Sequence, residues 1–235
     1  MKTVTRDFVE QLIDFVPGED TALQGIAAEQ LEGTVALFNM LQRNRCAYLA
    51  DEVGMGKTYV ALGVMSLVRY LNPYARIVVI APRENIQRKW VKDLKNFVRV
   101  NWKVVANRVK SLQGGPAWEP VHCNSLIDFT RERLLNADRD FFLRMTSFSL
   151  ALKQLESRKK LRTLLRSQMP WLPVRAIPTR SPEVFKDAFG GALNAGFPRA
   201  DLVIVDEAHN LKHGFNPKGS IRNHVMGLAF GHPDG

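Results

Sequence analysis

The chain has 235 residues, 46% hydrophobic and 24% charged, enough to bury a sizeable core as one large domain or two small ones. No run reaches the roughly 18 to 20 apolar residues that a membrane-spanning helix needs, and the N-terminus MKTVTRDFVEQLIDF carries acids where a secretory leader needs an apolar stretch. No membrane association and a cytoplasmic location are therefore expected, and the 33 Lys and Arg against 23 Asp and Glu, a formal charge of +10, favour a polyanionic partner, nucleic acid first.

In chain order, residues 6–16 predict a short amphipathic helix closed by Pro17-Gly18, and residues 28–43 a longer one with Leu31, Val35 and Phe38 on one face. CAYLA (46–50) reads as an apolar strand, followed by a Gly-containing turn and a helix from about Thr58 to Leu71 that Asn72-Pro73 ends. RIVVIAP (76–82) has the β-branched, almost uninterrupted apolar character of a parallel strand covered on both faces. A helix over 84–97, a strand over 102–106, a Gly/Pro-rich loop over 114–120 and a strand at FFLRMT (141–146) follow. A basic helix is expected near 149–167, then an irregular, proline-rich insertion over 168–200, and DLVIVDEAH (201–209) reads as the most convincing buried strand. Cys46 and Cys123 form no CxxC pair and have no histidine at metal-ligand spacing, so both are expected as small buried hydrophobes.

This alternation of strand and helix argues for an α/β fold with a parallel sheet. After CAYLA, the run Gly54-Met55-Gly56-Lys57-Thr58-Tyr59 contains the Gly-x-Gly-Lys-Thr core of a phosphate-binding loop that opens a helix. Glycines let backbone N–H groups surround phosphates, and the helix N-terminus adds partial positive charge. Lys57 can reach the β- and γ-phosphates of ATP and the Thr58 hydroxyl can ligate Mg²⁺. The apolar strand 201–205 delivers Asp206 and Glu207 at its carboxyl end, where open α/β sheets bind ligands. Asp206 would hold Mg²⁺ through water, and Glu207 would orient or activate the water that attacks the γ-phosphate.

With these residues in view, the chain resembles the first RecA-like, ATP-binding lobe of Swi/Snf-type, RapA-like superfamily 2 helicases and translocases. ADEVGMGKT (50–58) is similar to that family's first motif, in which Asp-Glu precedes the glycines, so Asp51 replaces the usual first glycine. IAPRENIQRKWVKDLKNF (80–97), with Trp90 read as core packing, MTSFSL (145–150) and VDEAHNLK (205–212), with Lys212, resemble later motifs in family order. EQLEG (29–33) is similar to the adenine-reading element and makes Gln30 the residue expected at the base, with a helix-surface glutamine as the alternative. Glu29 and Ala27 stand where the family usually has an aromatic and a basic residue. The resemblance implies that Ser147 contacts nucleic acid and that His209 couples hydrolysis to strand movement, an ordinary buried or capping histidine being the alternative.

Residues 151–180 hold eight basic side chains against one acid, Glu156, and so carry seven of the ten net positive charges. SRKKLRTLLRS (157–167) places Arg158, Arg162 and Arg166 at i,i+4 spacing beside Lys159, a row suited to phosphates if it is not a plain solvated face.

The expected organisation is an N-terminal helical extension over 1–20 and a first RecA-like lobe over 21–235, with the basic and Pro-rich insertion at about 150–200. After Lys212 no further apolar strand of convincing length is read, so the parallel sheet is expected to be incomplete at the C-terminus. The second lobe, with its arginine fingers, would come from a longer chain or a partner subunit. The expected function is a nucleic-acid-dependent ATPase motor using ATP and Mg²⁺, DNA favoured as the track. A nucleotide-gated interaction module is the alternative, and a small-molecule kinase a remote third.

Overall fold

Thr5 starts the first helix, α1 (Arg6–Leu12), by accepting the Phe8 amide on its hydroxyl at 3.3 Å. The computed structural model describes the chain except residues 1–2, 17–23, 51–55, 113, 136–138, 151, 174–176, 197–198, 217 and 232–235. Two units are distinguished, one of Met1–Ala75 with Lys89–Pro120, the other of Arg76–Arg88 with Val121–Gly235.

The first unit is helical. Beyond α1 the chain runs extended, and Ile13 bridges Trp102 antiparallel. The Asp14 amide donates to the Asn101 carbonyl at 2.8 Å and Asn101 Nδ2 donates to the Asp14 carbonyl at 2.6 Å. The N-terminal helix is thereby built into this unit. Helices α2 (Gln24–Asn44) and α3 (Lys57–Leu71) approach closely because Gly63 leaves room: a Cβ there would meet Thr34 Oγ1 at 2.8 Å. The Thr34 hydroxyl donates to the Gln30 carbonyl at 2.7 Å, so its burial leaves no donor unmade. From α4 (Glu84–Val100), Trp90, Leu94 and Phe97 are buried, and Phe97 packs on Phe15 and edge-on to Tyr59, with ring centroids 5.9 and 5.7 Å apart. Trp90 is therefore a core residue, as the sequence suggests.

Two predicted strands do not form. Residues 46–50 pair with no strand among the described residues, and Cys46, expected to be buried, is exposed. An apolar run becomes a strand only where a neighbour takes its backbone N–H and C=O groups, and 46–50 has none. Residues 102–106 supply only the single bridge at Trp102.

The second unit holds the sheet. Its strands are β1 (Ile77–Ala81), β2 (Val121–His122), β3 (Asp140–Arg144) and β4 (Leu202–Val205), in the order β2-β3-β1-β4 and all parallel. β1 lies between β3 (Val79↔Phe142) and β4 (Val79↔Ile204), and all five of its residues are buried, as its composition requires. The fold is thus the α/β parallel sheet with helices read from the alternation. β4, expected to be the best-buried strand, pairs only with β1 among the described residues, and Val203 is exposed.

Four helices of this unit follow: α5 (Leu126–Leu135), α6 (Leu155–Gln168), α7 (Pro182–Gly196) and α8 (Ile221–Phe230). α5 and α8 were not predicted, and α7 occupies the stretch read as irregular. α7 and α8 pack closely at Gly190, where a Cβ would lie 2.8 Å from Leu228. Phe185, Phe189 and Leu193 join Val225 and Met226 in a core that continues to Val78, Phe141 and Phe148. Cys123 is buried in it, and burial pushes its thiol up to about 12, so it is the inert hydrophobe expected. Among the described residues no helix is long and apolar enough to cross a membrane.

Candidate functional site

In the first unit, α3 opens at Gly56, which takes the left-handed conformation (φ 75°, ψ 26°) and has no side chain to cap the helix. The Gly56 carbonyl accepts the Tyr59 amide at 2.8 Å, which places Lys57, Thr58 and Tyr59 in the first turn. The dipole at this glycine start favours an anion. Gly54 and Met55, the other loop residues expected at the phosphates, lie outside the described residues.

Gln30, on α2, is buried, and its amide nitrogen would lie 2.0 Å from a Cβ on Gly56. The residue expected to read adenine therefore abuts Gly56 instead of lying on a free helix surface. The Tyr59 ring packs on Phe97, so its side chain serves the core.

In the second unit, β4 carries Asp206 out of the sheet while its amide still donates to the Ile80 carbonyl at 3.0 Å. Asp206 Oδ1 accepts the Glu207 amide at 2.9 Å. Glu207 is left-handed (φ 54°, ψ 49°), a strained backbone for a side chain with a Cβ, and starts a 3-10 turn, Ala208–Leu211. The Glu207 carbonyl accepts both the backbone amide and the side-chain Nδ2 of Asn210, at 2.9 and 3.0 Å. Its carboxylate reaches His209 Nδ1 at 3.0 Å, with both side chains more than half exposed. His209 is thus neither buried nor a helix cap, and it touches the residue expected to act on water. Lys212 is exposed, its amide donating to the His209 carbonyl at 3.1 Å.

Residues not singled out in the sequence hold this loop. Arg222 and the fully buried Asn223, on α8, donate to the Asn210 carbonyl at 3.0 and 3.4 Å. Ser220 and Gly231 bracket α8 with N-cap and left-handed C-cap geometry, the signal that could have revealed it.

At the carboxyl end of β3, Arg144 donates to Glu84 at 3.0 Å and to the Asn124 carbonyl. Buried Gln87 donates to the carbonyls of Phe142 and Cys123 at 2.6 and 2.9 Å, fastening α4 to β2 and β3. Beside them burial, and then the charges of Arg88 and Arg144, hold the His122 imidazole below its ordinary value, with Glu84 opposing. Ser147 lies in the 3-10 turn Met145–Phe148, and its hydroxyl oxygen is out of solvent with no hydrogen-bond partner among the described residues. Ser147 therefore does not offer its hydroxyl to solvent, where a nucleic-acid contact would need it.

The basic row divides. Arg158 is buried and its guanidinium donates to the carbonyls of Thr179 at 2.6 Å, Arg180 at 3.1 Å, Lys153 at 3.2 Å and Leu152. Arg162 donates to the Ile177 carbonyl at 3.3 Å. These two are clamps on their own insertion, not the phosphate ligands expected from spacing alone. Lys159, Lys160 and Arg166 are exposed.

The residues present suit ATP and Mg²⁺ as ligands. A side-chain-free helix start with Lys57 in its first turn fits a polyphosphate. The Thr58 hydroxyl in the first unit and the Asp206 carboxylate in the second are each a hard oxygen donor of the kind Mg²⁺ takes. Among the described residues no group of three or more His, Cys, Asp and Glu could form an all-protein metal cage.

Residues 17–164 match the family model described as type III restriction enzyme, res subunit. The chain is 29% identical over 128 residues to the chromatin-remodeling ATPase INO80 of Cryptococcus neoformans var. neoformans serotype D, 53% of this chain and 7% of that protein. It is 30% identical over 124 residues to human chromodomain-helicase-DNA-binding protein 8, 52% of this chain and 4% of that protein. The chain thus spans only a small part of these relatives. No solved structure matches it significantly.

Proposed function

From a chain that belongs to the type III restriction enzyme res subunit family, a helicase-like domain related to the Swi/Snf-type ATPases, we propose the ATP-binding and ATP-hydrolysing lobe of a nucleic-acid-dependent motor, with double-stranded DNA as its track. The observation that carries this reading is the opening of α3 at left-handed Gly56, with Lys57 and Thr58 in the turn and Gln30 against the glycine.

The amides at this helix start and the Lys57 ammonium hold the β- and γ-phosphates, and Gln30 recognises the base. Thr58 and Asp206 would hold Mg²⁺, which when bound neutralises charge on the phosphate oxygens. Glu207 orients the attacking water and accepts its proton. The water oxygen bonds to the γ-phosphorus as the bond to the β–γ bridging oxygen breaks, releasing ADP and phosphate. A second RecA-like lobe, on a longer chain or a partner subunit, supplies arginine fingers worth about 10³ to 10⁵ in rate. The similarity to two named chromatin and DNA-binding ATPases, together with the net charge of +10, supports DNA as the track.

Nucleotide binding and hydrolysis, with and without duplex DNA, test this reading. Lys57→Ala removes a charge-assisted contact that backbone amides cannot replace and should weaken Mg-ATP binding about 10- to 100-fold. Unchanged affinity overturns the nucleotide site, and phosphoryl transfer to a metabolite would point to a small-molecule kinase instead.

A further inference from the structure

Residues 151–180 carry seven net positive charges, of which Arg158 and Arg162 are spent on backbone carbonyls, and the remaining like charge destabilises a compact state unless a polyanion opposes it. Their use depends on which way each side chain points. Residues four apart advance by about 40° around an α-helix, so an i,i+4 row drifts from one face to another. Arg158 begins that row on the buried face of α6 with Leu165, while Arg166 ends it in solvent. The outer face of α6 reads Glu156, Lys159, Lys160, Thr163, Arg166, Ser167, all exposed.

The buried arginine also gathers charge. By binding the carbonyls of Lys153 and Arg180, Arg158 draws two further residues with exposed basic side chains to one end of the helix. The one acid on the face, Glu156, is paired with Lys159 at 2.7 Å. The side chains of Lys160 and Arg166 make no hydrogen bond or ion pair among the described residues. Four residues past Ser167, Trp171 stands 58% exposed.

We propose that the outer face of α6, through Lys159, Lys160 and Arg166 with Lys153 and Arg180 at its start, is a phosphate-backbone grip for duplex DNA, separate from the residues placed at the nucleotide. The proposal rests on the nucleic-acid dependence argued above and says where in the insertion that dependence resides. An anionic membrane is a poorer fit, because an interfacial helix must offer an apolar face to lipid and that of α6 is spent on the core at Leu165. Duplex DNA presents a phosphate charge about every 1.7 Å, dense enough to engage successive turns of one helix. The exposed indole of Trp171 offers a flat apolar surface at the far end of the grip.

The test is binding of a labelled DNA duplex by the full chain across a salt series, without nucleotide. Wild type is compared with Lys159→Glu/Lys160→Glu/Arg166→Glu and with a control of equal charge change on exposed α4 residues, Lys89→Glu/Lys92→Glu/Arg99→Glu. The α6 variant should bind at least about tenfold more weakly, and its slope of log affinity against log salt should fall by about 2 to 3, as each phosphate contact contributes about 0.9. The control should lose less and keep its slope. All six positions are exposed, so unchanged far-UV circular dichroism and melting temperature are expected. DNA should also alter the fluorescence of the chain less in Trp171→Phe, since Trp90 and Trp102 are buried and Trp118 is half-buried under the Arg108 guanidinium.

An unchanged slope in the α6 variant, or an equal loss in the control, overturns the grip while leaving DNA dependence standing. Polyglutamate binding as tightly as DNA overturns the nucleic-acid assignment in favour of an acidic protein. No DNA binding by wild type at low salt removes both the grip and the DNA track, while Mg-ATP affinity still reports on the nucleotide site.

Discussion

Nδ1 of His209 lies 3.0 Å from Oε2 of Glu207. The carboxylate only accepts, so the Nδ1 proton is donated to it. Glu207→Gln keeps an acceptor for His209 and loses the charge proposed to take a proton from water. Mg-ATP affinity should change less than about threefold while single-turnover hydrolysis falls about 10²- to 10⁴-fold, the usual worth of a general base. Parallel loss of both, in filter binding and phosphate release, would make Glu207 a structural residue.

At Gly56 an alanine would be strained twice. Its φ of 75° costs a side-chain-bearing residue about 1 to 2 kcal/mol, and the new Cβ would fall 2.0 Å from the Gln30 amide nitrogen. Gly56→Ala should lower the melting temperature and weaken ATP binding. Adding Gln30→Ala should recover the steric part of the stability loss and none of the affinity. Full recovery of stability in the double variant would mean that the left-handed backbone contributes nothing.

Arg158→Met should destabilise by at least about 2 kcal/mol, because it strands carbonyls of four residues, and so lower the melting temperature by roughly 4 to 8 °C. Arg158→Lys should not rescue it, since an ammonium lacks the planar fork that reaches several carbonyls. Arg166→Ala should leave stability nearly unchanged. Equal melting temperatures for Arg158→Met and Arg166→Ala would refute the division of the row into clamp and exposed cation.

His122 adds an acid-sensitive element. Its folded-state value lies below 6.5, chiefly through burial, so between that lowered value and 6.5 the unfolded chain binds more protons than the folded one. Stability should fall as pH drops below 6.5 and level off once the folded-state imidazole also charges. His122→Gln should flatten this limb in chemical denaturation at a series of pH values, and an unaltered limb would assign it to other groups.

The legible parts of the molecule were those in which the residue types admit one reading. β1 is five apolar residues bounded by Arg76 and Pro82, and it could be little but a central strand. Gly56-Lys57-Thr58 and Asp206-Glu207 were legible as positions, the first opening α3 and the second leaving β4, which is where the structure has them. The misreadings share a cause. CAYLA and LVIV both have strand composition, yet composition does not say which runs find partners, and only the second does. Prolines suggested irregularity over 168–200, but Pro182 is the first residue of α7, where a missing N–H costs nothing, and Ser181 Oγ accepts the Val184 amide at 3.4 Å. The arginine row was misjudged by sequence spacing because four residues are not a whole number of turns, and small angular errors separate core from solvent.

β4 leaves the carbonyl and amide groups of its outer edge open among the described residues, over four apolar positions without a charge. Such an edge is a template for any passing strand, and natural proteins commonly guard it with flanking charge. Here the guards are Asp201 and Asp206, one on either side, and Asp201 is partly neutralised by Arg76 at 3.0 Å. The Asp206 carboxylate, proposed above as a Mg²⁺ ligand, thus also flanks the outer edge of β4. Acidification or removal of that charge therefore carries a colloidal cost distinct from any effect on nucleotide: the propensity of the chain to precipitate should rise with its own concentration.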